Sequence, residues 1–409
     1  MNVRADRFPL MDSMRAIAFL AVLVTHGAFF AGMLNDESTL RPYVARLDVG
    51  VRIFFLISAF LLYRPFVKAR LRGEPPPYAG AYAWRRFLRV APPYWLALTL
   101  IVVWLGSPGF WDKAPWYYGF AHIYRHDTVL FLTLPQAWSL CIEVAFYLFL
   151  PLWAAALRRV PAGDARGRLR VELIGCALLA TVSLAYKLFV LHKGAATDPN
   201  LYTWHFALPE FLDFFAIGMA VAALSVWFQG REHESRVLRV LDARPGLSWL
   251  VAAVALVVAA NWIGLTGSLI QPVSDTSYLE RHYLYATIAL AMLLPAVFGD
   301  PRRGLVRRLL ANRALLWVGL VSYGAFLYHF AVYVQLDRWG FDRVAGDTTA
   351  YLWFPTALAA SLVIAAVSWY GFERHIMKLR RLVPARPSER GEATLEPTPA
   401  APPDPQQVG

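Results

Sequence analysis

The chain has 409 residues and a formal net charge of +12, yet only 17% of it is charged, against 58% hydrophobic and 15% aromatic. A soluble domain of ordinary composition is about 45–50% apolar and about 25% charged, so this balance excludes one. Two cysteines, Cys141 and Cys176, are too few for a disulfide framework or a Cys-rich metal site and read as small buried hydrophobes.

The apolar excess falls in blocks near the ~20 residues that cross a bilayer. It predicts an all-α, polytopic transmembrane helical bundle, since a β-barrel would show short alternating segments. Ten spans are expected, at 13–33, 48–63, 92–106, 137–156, 171–191, 207–228, 248–266, 281–298, 314–335 and 350–372. The loops between them alternate in charge. Basic loops run from Arg64 to Arg89, Arg158 to Arg170, Arg231 to Arg244 and Arg302 to Arg313, and the tail after Glu373 is basic too. Counting the N-terminus with this set, 29 Lys and Arg lie on one side and 7 on the other; Arg15, Arg52, Lys187 and Arg281 lie within or at the edges of spans. The positive-inside rule then puts both termini in the cytoplasm. The charge reads as topology, not as a nucleic-acid footprint. Arg4 and Arg7 before an apolar run mimic a signal peptide, but the run is long and no clear small-x-small cleavage site follows, so a retained helix is expected. Residues 1–385 are expected to form one transmembrane domain, with a disordered, Pro-rich cytoplasmic tail over 386–409.

Ionisable groups inside spans are costly and are therefore candidates for function. The first span, "DSMRAIAFLAVLVTHG", holds Arg15 and His26. At 1.5 Å per residue His26 lies ~16 Å deeper than Arg15, past the midplane toward the outer half. The second span carries Arg52 near its outer end, where it could snorkel. Before the third span, "WRRFLRVAPPYW" clusters Arg85, Arg86 and Arg89, with Arg86 and Arg89 on one helical face. Guanidiniums beside Trp84, Tyr94 and Trp95 suit a phosphate-bearing ligand, or else serve as topological anchors near lipid phosphates. In the fourth span, "AWSLCIEVAFYLFLP", Trp138 reads as an interfacial anchor, which places Glu143 ~8 Å down in the outer half. Glu210 and Asp213 of the sixth span and His329 of the ninth fall at the same depth. Five titratable groups from four spans thus share one level, as an acid/base site opening outward would. The blander readings are a structural ion pair for Glu143, a core hydrogen bond for His329 and a loop-facing position for Glu210 and Asp213. His122 and His126 have metal-ligand spacing, but flank "IYR" in a polar loop with no Glu between them, and no metal is expected.

These residues resemble the membrane acyltransferase-3 family, the bacterial integral-membrane O-acyltransferases. Its first-helix motif of Arg or Lys, ten residues, then His reads here as Arg15 and His26, preceded by a fitting Asp12. "GVRIFFLISAFLL" is similar to the second-span element, with Ser58 in place, and "RRFLRVAPPYW" to the Arg-x-x-Arg element as Arg86 and Arg89. "AWSLCIEVAFYLFLP" resembles Trp-Ser-Leu-x-x-Glu-x-x-Phe-Tyr, aligning Glu143, Phe146 and Tyr147. "FFAIGMAVA" and "VSYGAFLYHF" resemble later elements, the last supplying His329. The matches run in order from residue 11 to about 375. Ala59 replaces a usual Gly, Arg52 stands where many members have Asp, and Val144 and Ala145 replace a second Glu and a Gln.

The resemblance implies acyl transfer at the inner or plasma membrane. The donor is a cytoplasmic acyl-CoA, commonly acetyl-CoA, used as co-substrate with no resident cofactor. The acceptor is a hydroxyl of a glycan, a glycolipid or a sugar-bearing natural product. Under it His26 is the general base, and Glu143 orients the imidazole as the acid of a triad does. Arg15, Arg86, Arg89, Ser58, Tyr147 and His329 contact substrate or acyl-CoA. A proton-coupled transporter or flippase, using the same charges as a relay, is the competing reading, and a scaffold descended from an enzyme is a third. The absence of a clear inverted repeat disfavours the transporter.

Overall fold

Each long apolar block folds as a helix, the form in which backbone polar groups satisfy one another inside a membrane. The computed structural model of the chain describes residues 8–34, 39–125, 127–128, 134–194, 199–264, 274–341 and 349–383, and among these there is no strand. The expected tail over 386–409 lies outside the described residues. In chain order the helices are α1 (Leu10–Phe30), α2 (Arg41–Arg46), α3 (Gly50–Arg72), α4 (Ala79–Leu105), α5 (Phe110–Tyr118), α6 (Trp138–Arg159) and α7 (Ala165–His192). They continue as α8 (Leu208–Trp227), α9 (Arg236–Ala243), α10 (Gly246–Asn261), α11 (Asp275–Val297), α12 (Leu305–Leu310), α13 (Arg313–Arg338) and α14 (Thr349–Ser368). Local signals set several ends. Asp164 caps α7 by accepting from Gly167 N, Asn312 caps α13 by accepting from Ala314 N, and α3 stops at Gly73, whose φ is 70°.

All ten expected spans coincide with helices. Seven stretches are long and apolar enough to cross a membrane: Leu10–Phe30, Ala79–Leu105, Pro135–Arg159, Ala165–His192, Thr203–Trp227, Arg313–Arg338 and Leu352–Leu382. The protein is therefore a multi-pass membrane protein. An eighth candidate joins α9 to α10 through a bend of 88°. The expected spans outside the seven have visible reasons. Helix α3 carries Arg52, Arg64, Lys68, Arg70 and Arg72, α10 has 16 residues, and α11 opens with Asp275, Glu280 and Arg281.

Helix directions constrain the topology further. Helix α1 packs against α13, with Gly319 against the Asp12 carbonyl at one end and Tyr333 Oη donating to Leu23 O at the other, so the two run parallel. Parallel helices require an odd number of crossings between them, and only four of the seven stretches lie between α1 and α13. Helix α3 supplies the missing crossing. Phe8 meets Phe60, and Gly50 abuts Ala18, so α3 runs antiparallel to α1. The α10–α11 pair, held by Trp249 Nε1 donating to Met292 O at 3.2 Å, adds two crossings or none.

Glycines permit the close helix crossings. A Cβ at Gly319 of α13 would collide with the Asp12 carbonyl of α1, and one at Gly218 of α8 would fall 2.5 Å from the Leu56 carbonyl of α3. Small residues let backbones approach where no hydrophobic driving force separates helix from lipid. We expect Gly319→Val to destabilise the protein by about 1–3 kcal/mol, the usual cost of overpacking. Gly246→Ala, where a Cβ meets nothing within 4 Å, should leave the melting temperature of lipid-embedded protein unchanged. Equal melting temperatures for both variants would show that α1 and α13 are not pinned at this point.

Candidate active site

The parallel packing of α1 and α13 brings His26 and His329 together. Nδ1 of His26 lies 2.8 Å from Nε2 of His329, and the rings stack with centroids 5.1 Å apart and planes 22° from parallel. Nδ1 of His329 lies 2.7 Å from the carbonyl oxygen of Phe326, one turn back. A carbonyl only accepts, so His329 Nδ1 carries a hydrogen and, in the neutral ring, its Nε2 is an acceptor. His26 Nδ1 must then donate to it. The chain of assignments leaves the lone pair of His26 on Nε2. His329 is wholly buried and His26 only partly, so the exposed end of the pair is the basic one. Phe19 and Phe326 flank His329, and Phe330 meets His26 edge-on at 5.3 Å.

Glu143 does not take the place next to His26 expected from the sequence. Its Oε1 accepts from Ser58 Oγ at 2.8 Å and its Oε2 from Tyr147 Oη at 2.6 Å. The carboxylate is within electrostatic reach of Arg15 and Arg86. Trp138, expected to be an interfacial anchor, is half-buried and packs against Phe55, Phe206 and Phe211 and beneath the guanidinium of Arg52, while Gln136 just before it reaches the α13 carbonyls next to His329. Helix α6 therefore starts deeper, and Glu143 lands near the Arg15 end of α1. The five groups expected at one level separate into three assemblies.

The second assembly gathers the basic residues. Arg15 pairs with Asp12 at 3.1 Å and lies within electrostatic reach of Arg89. Arg89 sits 4.0 Å from Glu373, with its guanidinium 5.7 Å from the centroid of the Tyr323 ring and 5.4 Å from that of Trp369. Glu373 closes a π-helical turn, Trp369–Glu373, and also accepts from Ser368 Oγ at 3.0 Å. Such turns often mark functional positions. Nothing in the sequence marks Glu373 beyond its charge at the end of an apolar block. Arg86 lies near Tyr82, Tyr147, Arg89 and Glu143, and among the described residues it makes no hydrogen bond or ion pair. Arg85 is exposed.

In the third assembly Glu210 and Asp213 are buried, not loop-facing. Asp213 Oδ2 accepts from Lys187 Nζ at 3.0 Å and lies 2.8 Å from His282 Nε2. Lys187 Nζ also donates to Ser183 Oγ at 2.7 Å, and Tyr278 Oη donates to Glu210. Lys187, His282 and Tyr278 come from α7 and α11, and no spacing in the sequence joins them to Asp213. Arg52 does not snorkel: it pairs with Asp48 at 3.3 Å inside a cage of Trp138, Phe211 and Tyr285. Cys141 and Cys176 are buried and free. His122 stacks on Tyr117 at 4.6 Å and contacts Cys141 Sγ at 3.4 Å, while His126 lies outside the described residues. Among the described residues no group of three His, Cys, Asp or Glu could hold a metal ion.

Comparison with known proteins agrees with this arrangement. A Staphylococcus aureus protein provisionally named an O-acetyltransferase is 21% identical over 392 residues, covering 90% of this chain and 57% of its own length. The peptidoglycan O-acetyltransferase OatA of Listeria monocytogenes is 24% identical over 387 residues, covering 90% of this chain and 56% of that protein. Nodulation protein 10 of Rhizobium leguminosarum bv. viciae is 23% identical over 362 residues, covering 82% of this chain and 84% of that protein. The chain thus spans a little over half the length of the first two. No solved structure matches. The model of a family described as an acyltransferase domain matches residues 9–371, and the chain belongs to that acyltransferase family.

Proposed function

We propose that the protein is an integral-membrane O-acyltransferase that moves an acyl group, acetyl in the first instance, from a cytoplasmic acyl-CoA to a hydroxyl of a glycan, a glycolipid or a sugar-bearing natural product. The observation that carries this reading is the hydrogen-bond chain from Phe326 O through His329 to His26, which leaves His26 Nε2 as a free base. An alcohol attacks a thioester poorly until its proton is taken, and a neutral imidazole with a lone pair to spare suits that step. His26 Nε2 removes the acceptor proton as the acceptor oxygen bonds to the thioester carbon. The carbon–sulfur bond breaks, and the proton passes to the departing thiolate, which returns His26 to its neutral form. His329 fixes the tautomer and orientation of His26, the part the expected triad gave to Glu143.

The donor reading rests on converging guanidiniums with hydrogen-bonding capacity to spare. Arg15, Arg86 and Arg89 converge; Asp12 pairs with the first, Glu373 stands 4.0 Å from the last, and Arg86 is without an ion-pair partner among the described residues. Guanidiniums in this state favour phosphate oxygens, which the nucleotide end of CoA provides. Glu143, fixed by Ser58 and Tyr147, lies beside them and on this reading lines the path of the pantetheine arm toward His26. The name of one relative, a peptidoglycan O-acetyltransferase, supports a glycan as acceptor. The Lys187–Asp213–His282 group is what a proton-coupled transporter would use, and that reading predicts no release of thiol.

The test is free thiol released from acetyl-CoA by purified protein in lipid, with a glycan and lipid extract as acceptor. His26→Ala should lower turnover by about 10²–10⁴-fold, the usual contribution of a general base, in protein that remains inserted and folded. Near-normal turnover would remove His26 as the base. Turnover of the wild type should fall as pH falls, because protonation consumes the Nε2 lone pair that takes the substrate proton. Replacing both Arg86 and Arg89 with Ala should raise the KM for acetyl-CoA more than that for the acceptor; equal changes would make the two arginines topological anchors.

A further inference from the structure

The carbonyl that fixes His329 is itself gripped from another helix. Gln136 lies in the short 3-10 turn Pro135–Ala137 that leads into α6. Its Nε2 donates to Leu327 O at 2.9 Å and to Phe326 O at 3.3 Å. The second of these is the oxygen that accepts from His329 Nδ1. The turn is held in its own right, because Ser139 Oγ donates to Gln136 O at 3.1 Å. Pro135 restricts the backbone just ahead of it.

The other half of the same amide is the informative part. Gln136 is 4% exposed, and its Oε1 is buried with no hydrogen-bond partner among the described residues. A buried acceptor without a donor is costly, and native folds keep few of them. Turning the amide over would set Oε1 against two carbonyl oxygens, so the two α13 carbonyls dictate which way it points. Among the described residues, then, the oxygen goes without a donor while the two N–H groups of the same amide fall on the carbonyls of residues 326 and 327.

From this we infer that Gln136 is a positioning residue for the His26–His329 pair. This rests on the acyl-transfer reading above. Gln136 contacts neither ring. It holds the first turn before His329 against the start of α6, and so keeps Phe326 O aimed at His329 Nδ1. With that acceptor misplaced, His329 is free to take its other tautomer, with hydrogen on Nε2. His26 Nδ1 then faces a donor in place of an acceptor, its own hydrogen moves to Nε2, and the lone pair that takes the substrate proton points the wrong way. The Trp138-Ser139-Leu140 element follows directly on this turn, so its serine stabilises the loop that carries Gln136.

The test uses Gln136→Met, which keeps the length and removes both amide donors, and Gln136→Asn, which keeps the amide one methylene short of the carbonyls. Thiol release from acetyl-CoA and the 15N resonances of histidine-labelled protein in lipid nanodiscs are both read, with His329→Gln assigning the His329 signals by difference. Both variants should lower kcat by about ten- to a hundredfold, the loss of one or two buried hydrogen bonds, with the KM for acetyl-CoA little changed. The His329 signals should move from the Nδ1-protonated pattern toward the Nε2-protonated one. A fall in kcat with the His329 pattern unchanged would reduce Gln136 to a packing residue, and unchanged kcat with an unchanged pattern would overturn the inference outright. A shifted pattern in protein that releases no thiol even as wild type would keep the positioning role and discard acyl transfer instead.

Discussion

The contact on which the rest depends is the parallel crossing of α1 and α13. It closes at Gly319, where no side chain larger than hydrogen fits against the Asp12 carbonyl, and again where Tyr333 donates to Leu23 O. Between these two points the helices have little freedom to rotate or slide, because each lies against a rigid rod of internally satisfied backbone. The meeting of His26 and His329 follows from that register. A slip of one residue would turn either imidazole by about 100° around its helix and separate the pair, since 3.6 residues make a turn. The same crossing sets Asp12 and Arg15 at one end of the bundle and the histidines at the other, a fixed separation of ~16 Å along α1.

Most of the architecture was legible because membrane helices announce themselves by length and by charge alternation. Each expected block carries a helix, and the directions of α1, α3 and α13 agree with the parity of the expected order. What composition left open was α3, whose five basic residues lower its hydropathy. Its position is fixed by tertiary contacts, Phe8 on Phe60 and Gly50 on Ala18, which no local pattern contains. The site was legible in its members and not in its wiring. His26, His329, Glu143, Arg15, Arg86, Arg89, Ser58 and Tyr147 all stand out in the sequence, and the structure places them in two separate groups. Their pairing failed to follow from depth because depth was counted from Trp138, taken as an interfacial residue. Aromatic residues in this bundle are also core, and a tryptophan beneath an arginine in a ring of phenylalanines marks no boundary. Gln136 and Glu373 escaped notice because a lone amide and a carboxylate at a helix end carry no spacing signature.

The charged residues deepest in the bundle obey one rule. Each has a counter-charge or a set of hydrogen-bond partners, as it must when an uncompensated charge in hydrocarbon costs about 2.5–3.5 kcal/mol even on the lenient scale. Lys187 neutralises Asp213, which also lies 2.8 Å from His282 Nε2, Asp48 holds Arg52, and Arg70 meets Glu172 at 3.3 Å. Replacing one partner of such a pair is expected to harm folding before it harms chemistry. This separates structural charges from functional ones better than depth does. Asp213 is saturated by its neighbours, whereas His26 Nε2 and Arg86 are polar groups that the described residues leave available.

That distinction bears on how a membrane protein brings a water-soluble donor and a lipid- or glycan-borne acceptor to one point. The two groups with spare capacity sit toward opposite ends of the bundle and differ in kind: a cation suited to phosphate and a neutral base suited to a hydroxyl proton. Between them lie Glu143, Ser58 and Tyr147, whose hydrogen bonds are used on one another. On the acyl-transfer reading proposed above, polar groups satisfied in this way would line the path of a long thioester arm without gripping it, as an arm that enters and leaves at every turnover requires. On that reading the chemistry needs no mobile domain to carry the acyl group across. A fixed scaffold suffices, provided the base at its far end keeps the correct tautomer, and in this fold that condition falls on His329 and the carbonyl of Phe326.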